Sequence, residues 1–385
     1  MTSLFSPIKV GNLHLEHRVV LAPLTRFRAT RDHVPVVSLM KEYYEQRASA
    51  PGTLLISEGV FVAQEAGGYF HAPGIWNADQ INAWKEITKA IHAKRSYIFL
   101  QLWAMGRAAT PEVLTEEGNY PYLAPSPIPL SDRPSGAQAP RAFTLAEIDK
   151  FVGLYVQAAK NAIEAGFDGV EVHCANGYLI DQFIQDTSNA RTDEYGGSVE
   201  NRSRFALRIV DEVVKAVGEE RTGVRLGPWN RFQDMKMLDP IPQFSHIVSS
   251  LVESHPNLAF LHLVEPPPVE ERPDVKHPTE IQEESNDFIR EIWGSRPLIS
   301  TGGYTREDAI KVAQNKGDLV GFGRHFISNP DLPFRLEHDI PLAPYDRSTF
   351  YTPSDAKDTE KGYIDYPFSE QFLRKEQYNS KSHSF

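Results

Sequence analysis

Val172-His173-Cys174-Ala175-Asn176-Gly177-Tyr178-Leu179 carries a short apolar strand into a polar turn and then into a helix. With the residues back to Gly169 it forms a run of strand length, the fourth such run in the chain. His173 and Asn176 can each donate a hydrogen bond, Gly177 lets the backbone turn without steric penalty, and Tyr178 offers a phenolic proton. Such a set suits a carbonyl oxygen that gains negative charge while a proton is delivered to a neighbouring carbon. A histidine or tyrosine at a strand end is commonly a structural hydrogen bonder, so this reading needs support from the rest of the chain.

Outward from this stretch the same unit repeats. On the N-terminal side, Val19-Val20-Leu21-Ala22-Pro23-Leu24-Thr25-Arg26, Thr53 to Gly59 and Tyr97 to Trp103 read as strands one to three, with helices over Ser38 to Ala48 and Asp79 to His92. Thr144 to Ala165 is the helix that leads into strand four: Thr144 and Glu147 form a capping box, and Gly166 is its stop. On the C-terminal side, helix Ser198 to Val217 precedes strand five (Gly223 to Leu226), and Pro242 to Ser254 precedes strand six (Leu258 to Val264). Glu280 to Trp293 is the next helix and Pro297 to Gly303 strand seven. Thr305 to Gln314 is the last of these helices, and Asp318 to Arg324 is strand eight. Eight apolar strands alternating with helices close most economically as a (β/α)8 TIM barrel, here one domain over 1–385.

Three segments stand outside the repeat. Residues 110–143 form a proline-rich, irregular capping excursion after strand three, without helical period, and a loop opens at Pro266-Pro267-Pro268. The stretch 341–385 reads as a C-terminal extension on the surface, its polar end from Asn379 poorly ordered.

Composition narrows the function classes. Hydrophobic residues at 41% and charged residues at 24% describe an ordinary globular chain. No apolar run approaches a membrane span, and Met1 to Pro7 shows no targeting pattern, which leads to a cytoplasmic expectation. A net charge of −11 gives no reason to expect nucleic acid or an anionic membrane as partner. The single cysteine, Cys174, excludes an intrachain disulfide and a four-cysteine iron–sulfur cluster; no metal site is expected. A Cys174–His173 nucleophile is disfavoured because neighbours on a strand point to opposite faces.

In a barrel of this kind the site is built from the C-terminal strand ends. Those positions hold Thr25, Gly59, Gln101, Trp103, His173, Asn176, Arg225, Gly302, Gly303, Gly323 and Arg324. Gly302-Gly303 and Gly323-Arg324 follow strands seven and eight, where exposed N–H groups and a cation suit a phosphate. Gln101 both donates and accepts, matching the alternating edge of a flavin pyrimidine. Arg225 inside an apolar strand needs a partner, which is either a structural ion pair or the N1/O2 edge of a reduced flavin.

Several long segments resemble the old yellow enzyme family. They are Ala22-Pro23-Leu24-Thr25-Arg26, Gln101-Leu102-Trp103, His173-x-x-Asn176-Gly177-Tyr178-Leu179-x-x-Gln182-Phe183, Asn189-x-Arg191-x-Asp193-x-Tyr195-Gly196-Gly197-Ser198, Arg225-Leu226 and Gly323-Arg324-x-Phe326-Ile327-Ser328-Asn329-Pro330-Asp331-Leu332, with Gly362 to Pro367 extending the match. The resemblance implies an FMN-binding barrel that reduces activated alkenes with NADPH. It implies that Pro23, Thr25, Gly59, Gln101, Arg225, Gly302, Gly303, Gly323 and Arg324 hold FMN. It further implies that His173 and Asn176 bind the substrate carbonyl, that Tyr178 protonates the α-carbon, and that Trp103, Phe232 and Tyr351 line the substrate cavity.

The expected activity is trans reduction of the C=C bond of an α,β-unsaturated aldehyde or ketone. Alternatives are a pathway-specific flavin reductase or isomerase of a conjugated enal in specialised metabolism, and a flavin-binding protein without turnover. A Schiff-base aldolase would need a buried lysine, which no strand end offers. Monomer and homodimer both remain open, as does NADPH against NADH.

Overall fold

Short strand-forming runs rich in β-branched and aromatic residues, separated by helices, set the architecture. The computed structural model describes residues 2–266 and 284–382. An antiparallel hairpin, β1 (Ile8–Val10) and β2 (Leu13–Leu15), precedes everything else. The barrel strands are β3 (Val19–Leu21), β4 (Leu54–Phe61), β5 (Tyr97–Trp103), β8 (Gly169–Cys174), β9 (Thr222–Leu226), β10 (Phe260–Val264), β11 (Leu298–Thr301) and β12 (Leu319–Phe322). All are parallel, neighbours follow chain order, and β12 pairs back onto β3 to close the ring. This is the expected (β/α)8 barrel.

Its outer helices include α1 (Val37–Arg47), α2 (Ala78–Ala93), α4 (Leu145–Glu164), α6 (Val199–Val217), α7 (Ile241–Ser254), α8 (Asp287–Trp293) and α9 (Arg306–Asn315). The Thr144 and Glu147 capping box starts α4 as read, and Gly166 at φ +87° follows it. The helix read from Thr305 begins at Arg306, with Thr305 as its cap. Part of the helix expected over Glu280 to Trp293, and most of the loop opened at Pro266, lie outside the described residues. In the described part that helix begins only at Asp287.

The two faces of each strand separate cleanly. On β8, Val170, Val172 and Cys174 point outward into the large core shared with the helices, while Glu171 and His173 point inward. Cys174 and His173 therefore do not form a nucleophile pair. The lower interior is an apolar layer of Val20, Leu54, Ile56, Phe99, Phe260, Ile299 and Leu319, and the hairpin adds Val10 and Leu15 to it. Gly11, at φ +53°, lets the hairpin turn against the barrel, where a Cβ would lie 2.1 Å from the Glu220 carbonyl oxygen. The hairpin plugs one end, so chemistry is confined to the other.

The excursion over 110–143 is not wholly irregular. It contains α3 (Pro111–Gly118), led by Pro111 at its first position, and a short ladder of β6 (Leu123–Ala124) with β7 (Arg141–Ala142). A helix of about two turns is too short to show a period among so many prolines. Arg324, read as the end of strand eight, instead opens α10 (Arg324–Ser328), followed by α11 (Leu332–Glu337).

The C-terminal extension enters the core rather than only covering it, and Glu370–Ser382 forms α12; the part of the expected polar tail after Ser382 lies outside the described residues. Tyr363 is fully buried and stacks on Tyr43 of α1 at 4.3 Å. Three buried arginines strap the segment down. Arg26 donates to the carbonyls of Phe350 and Gly362 (3.0 and 2.7 Å), Arg28 to Thr359 (3.0 Å), and Arg47 to Tyr43, Tyr363 and Ile327. Burial pulls the Arg47 guanidinium down to about 10, so it stays charged at neutral pH, with the Tyr43 ring face 3.7 Å away. Arg47→Met leaves buried carbonyls without donors and is expected to cost about 3 kcal/mol of unfolding free energy, read in a urea titration. A loss under about 1 kcal/mol would show that the strap is dispensable.

Candidate active site

Above the apolar floor the barrel interior turns polar. Gln101 of β5 donates from Nε2 to Glu171 Oε1 at 2.7 Å, and Glu171 Oε2 meets His262 Nδ1 at 2.7 Å, all three side chains being buried. A carboxylate accepts only, so this fixes the Gln101 amide and leaves its oxygen and second N–H for another partner. Arg225 stands in register with His173 on one side and His262 on the other. Its Nε is buried without a partner among the described residues, as are His173 Nδ1 and His262 Nε2. Glu171 acts on Arg225 through space, but no carboxylate among the described residues forms an ion pair with it. The structural ion pair is thus absent among the described residues. Burial, with Arg225 and His262 adding repulsion, holds the His173 imidazole well below the usual histidine range, so it is neutral at neutral pH.

The turn after β8 is built from two successive left-handed residues, Asn176 (φ +62°) and Gly177 (φ +73°). Asparagine and glycine are the residues that accept this conformation most readily. A Cβ on Gly177 would lie 2.7 Å from Gln233 Cβ, so glycine is also needed for the loop after β9 to pack here. Asp181, in the short buried helix α5 (Leu179–Ile184), accepts from Gly177 N at 2.8 Å, and Gln182 donates to the carbonyls of Gly177 and Met105 at 2.7 and 2.9 Å. These bonds hold Tyr178 in place. Its ring lies edge-on to Trp103 at 4.9 Å and 5.3 Å from the His173 ring. Desolvation raises the phenol above its usual range, so the proton stays on at neutral pH.

Aromatic rings wall the mouth. Trp103 stacks on Phe61 at 4.7 Å, and Tyr69 and Phe27 continue the wall. Gly59 is where the Trp103 ring must pass, since a Cβ there would sit 2.7 Å from it. Tyr351 stands 5.9 Å from Phe27 and is 58% exposed, while Phe232 is 61% exposed beside the Gly177 turn. Both lie at the rim rather than inside the wall.

The residues expected to hold FMN converge on the same end. Pro23 and Thr25 are half-buried just past β3, Gly302 and Gly303 are exposed just past β11, and Gly323 precedes α10. A Cβ at Gly303 would lie 3.7 Å from an Arg324 guanidinium nitrogen, so a cation stands over open glycine backbone. Arg225, whose Nε has no partner among the described residues, and the half-satisfied Gln101 are both buried in the barrel interior, where they could meet a polar, flat edge. The donor set fits the cofactor.

Comparison with known proteins agrees. The model of the NADH:flavin oxidoreductase / NADH oxidase family matches residues 3–343. The solved old yellow enzyme of Pichia sp. AKU4542 superposes with a TM-score of 0.86 at 42% identity, covering 96% of this chain and 94% of that one. The chain belongs to the old yellow enzyme family. Among curated relatives of this oxidoreductase, chanoclavine-I aldehyde reductase fgaOx3 of Penicillium roqueforti is 49% identical over 378 residues, covering 97% and 98% of the two chains. The NADP-dependent oxidoreductase lnbE of Aspergillus flavus is 48% identical over 384 residues, covering 96% and 97%.

Sequence reading of this old yellow enzyme missed Phe27, Tyr69, Asn230 and Gln233. Phe27 takes φ +56° and Gln233 φ +60°, irregular backbone with no periodicity to read. Asp181 and Gln182 had a signal: two polar residues in a six-residue helix that is otherwise apolar must be satisfied internally.

Proposed function

We propose that this protein is an FMN-dependent ene reductase that uses NADPH to saturate the C=C bond of α,β-unsaturated aldehydes or ketones. The carrying observation is that Tyr178, protonated and half-buried, shares one aromatic-walled mouth with a neutral His173 and the Asn176 turn, above Arg225, whose Nε has no partner among the described residues. FMN, when bound, would supply the hydride-transfer chemistry between the nicotinamide and the alkene. Pro23, Thr25, Gly59, Gln101 and Arg225 would hold its ring, and Gly302, Gly303, Gly323 and Arg324 its phosphate. His173 and Asn176 bind the carbonyl oxygen and stabilise the charge that grows on it. Tyr178 delivers a proton to the α-carbon, giving trans addition. Trp103 excludes water from one side of the cavity, and Phe232 and Tyr351 meet the substrate at its rim.

An aldehyde reductase among the close relatives supports an unsaturated aldehyde of specialised metabolism as substrate, and an NADP-dependent relative supports NADPH. Under anaerobic conditions the purified protein should be yellow, NADPH should bleach it, and cyclohexenone should restore the colour. A colourless protein would sink the assignment. One that bleaches but is not restored by any enal or enone would point instead to a different acceptor.

A further inference from the structure

We propose that Asn230 is a positioning residue that decides which end of the Asn176 amide faces the substrate. The inference rests on the reading of Asn176 as a donor to the carbonyl oxygen. A carboxamide has a donating and an accepting end of nearly equal size, so a site that needs the donor must fix the orientation by hydrogen bonding. Asn230 Oδ1 accepts the backbone N–H of Phe232 at 2.9 Å, and a backbone N–H can only donate. That sets the Asn230 amide with its oxygen toward Phe232 and its nitrogen outward. The nitrogen donates to Asn176 Oδ1.

With its oxygen occupied, Asn176 keeps Nδ2 without a partner among the described residues and free to donate. Both backbones are pinned, since the Asn176 carbonyl accepts from Gln233 Nε2 at 3.0 Å and Asn230 N donates to Gly227 O at 3.2 Å. Hydrogen-bond polarity thus runs in one direction, from the Phe232 N–H through Asn230 and Asn176 to the substrate oxygen, and each bond polarises the next. The backbone N–H at 232 is the fixed end of the chain.

The discriminating variant is nearly isosteric. Asn230→Asp still accepts from Phe232 N–H but presents an acceptor to Asn176, which then turns its NH2 toward residue 230 and its oxygen toward the substrate. Pre-reduced holoenzyme is mixed with cyclohexenone and the return of the flavin band is followed. Asn230→Asp is expected to fall about 100-fold, as for loss of one oxyanion donor. Asn230→Ala, which leaves Asn176 free to rotate, is expected to lose about fivefold. On an Asn176→Ala background, itself about 100-fold down, neither change at 230 should cost more than about twofold. The Asn230→Asp rate relative to wild type should rise as pH is lowered, because the introduced carboxyl group, once protonated, donates again.

An Asn230→Asp rate no lower than Asn230→Ala, or a full loss on the Asn176→Ala background, would overturn the inference alone. An unaffected Asn176→Ala would overturn the reading of Asn176, and this inference with it. Should Asn230→Asp not retain flavin, the Asn230→Ala and Asn176→Ala pair reads the same coupling, and additive losses there would refute it.

Discussion

Tyr178→Phe should lower the rate of enone reduction by about 10² to 10⁴-fold, the range for loss of a positioned general acid, while NADPH still bleaches the flavin. The substitution removes one oxygen and keeps the ring, so the edge-on packing against Trp103 and the contact with the His173 ring persist. Its phenol is raised by desolvation first, then by the neighbouring Tyr69 and Tyr351, with Gln233 and Arg225 opposing. The sign favours catalysis: a group whose neutral form is stabilised holds its proton until the substrate's α-carbon demands it. Single-turnover mixing of the reduced enzyme with cyclohexenone measures the step directly. A variant within about tenfold of wild type would assign the proton to another donor.

How much of this is legible in the sequence depends on which force sets each feature. Barrel strands are readable because a strand buried on both faces must be rich in apolar residues, and Tyr97 to Trp103 reads with its observed limits. Residues of β8 are also readable as to face, since alternation alone places His173 inward and Cys174 outward. The hairpin at Ile8–Leu15 is not, because two three-residue strands leave too short a pattern, and its position is set by packing against Phe260 and Leu319. The arginine strap is likewise hidden. Arg26, Arg28 and Arg47 satisfy carbonyls more than 270 residues away in sequence, and backbone carbonyls carry no residue signature. At the site, chemistry-bearing side chains at strand ends are legible, whereas Asn230 and Gln233 sit in a loop whose left-handed residues no periodicity predicts.

The hidden features explain how the legible ones are held. Gly177 N is bound by Asp181, the Asn176 carbonyl by Gln233, and Asn176 Oδ1 by Asn230, so the turn is fixed from α5 on one side and from the loop after β9 on the other. Arg107, just before the excursion, ties the same loop to it by donating to Gln233 O at 2.9 Å and to Ile128 O at 3.4 Å. Preorganisation of this kind is what lets a hydrogen bond act on charge as it develops, without reorganising at that moment.

His173→Ala should therefore lower kcat/KM for an enone by about 100-fold, and His173→Ala with Asn176→Ala by less than the product of the two single losses, because both donors serve one oxygen. The imidazole does this work uncharged. Desolvation dominates its lowered pKa, and the Arg225 guanidinium and His262 push the same way, so a falling pH leaves it neutral through the ordinary histidine range. A charged imidazolium beside Arg225 would repel that cation; a neutral ring donates one hydrogen bond at no such cost. It follows that the wild-type rate should show no histidine-type inflection near the unperturbed value of about 6.5. Such an inflection that vanished in His173→Ala would mean that the ring titrates in the working enzyme, and the neutral-donor account would have to be abandoned.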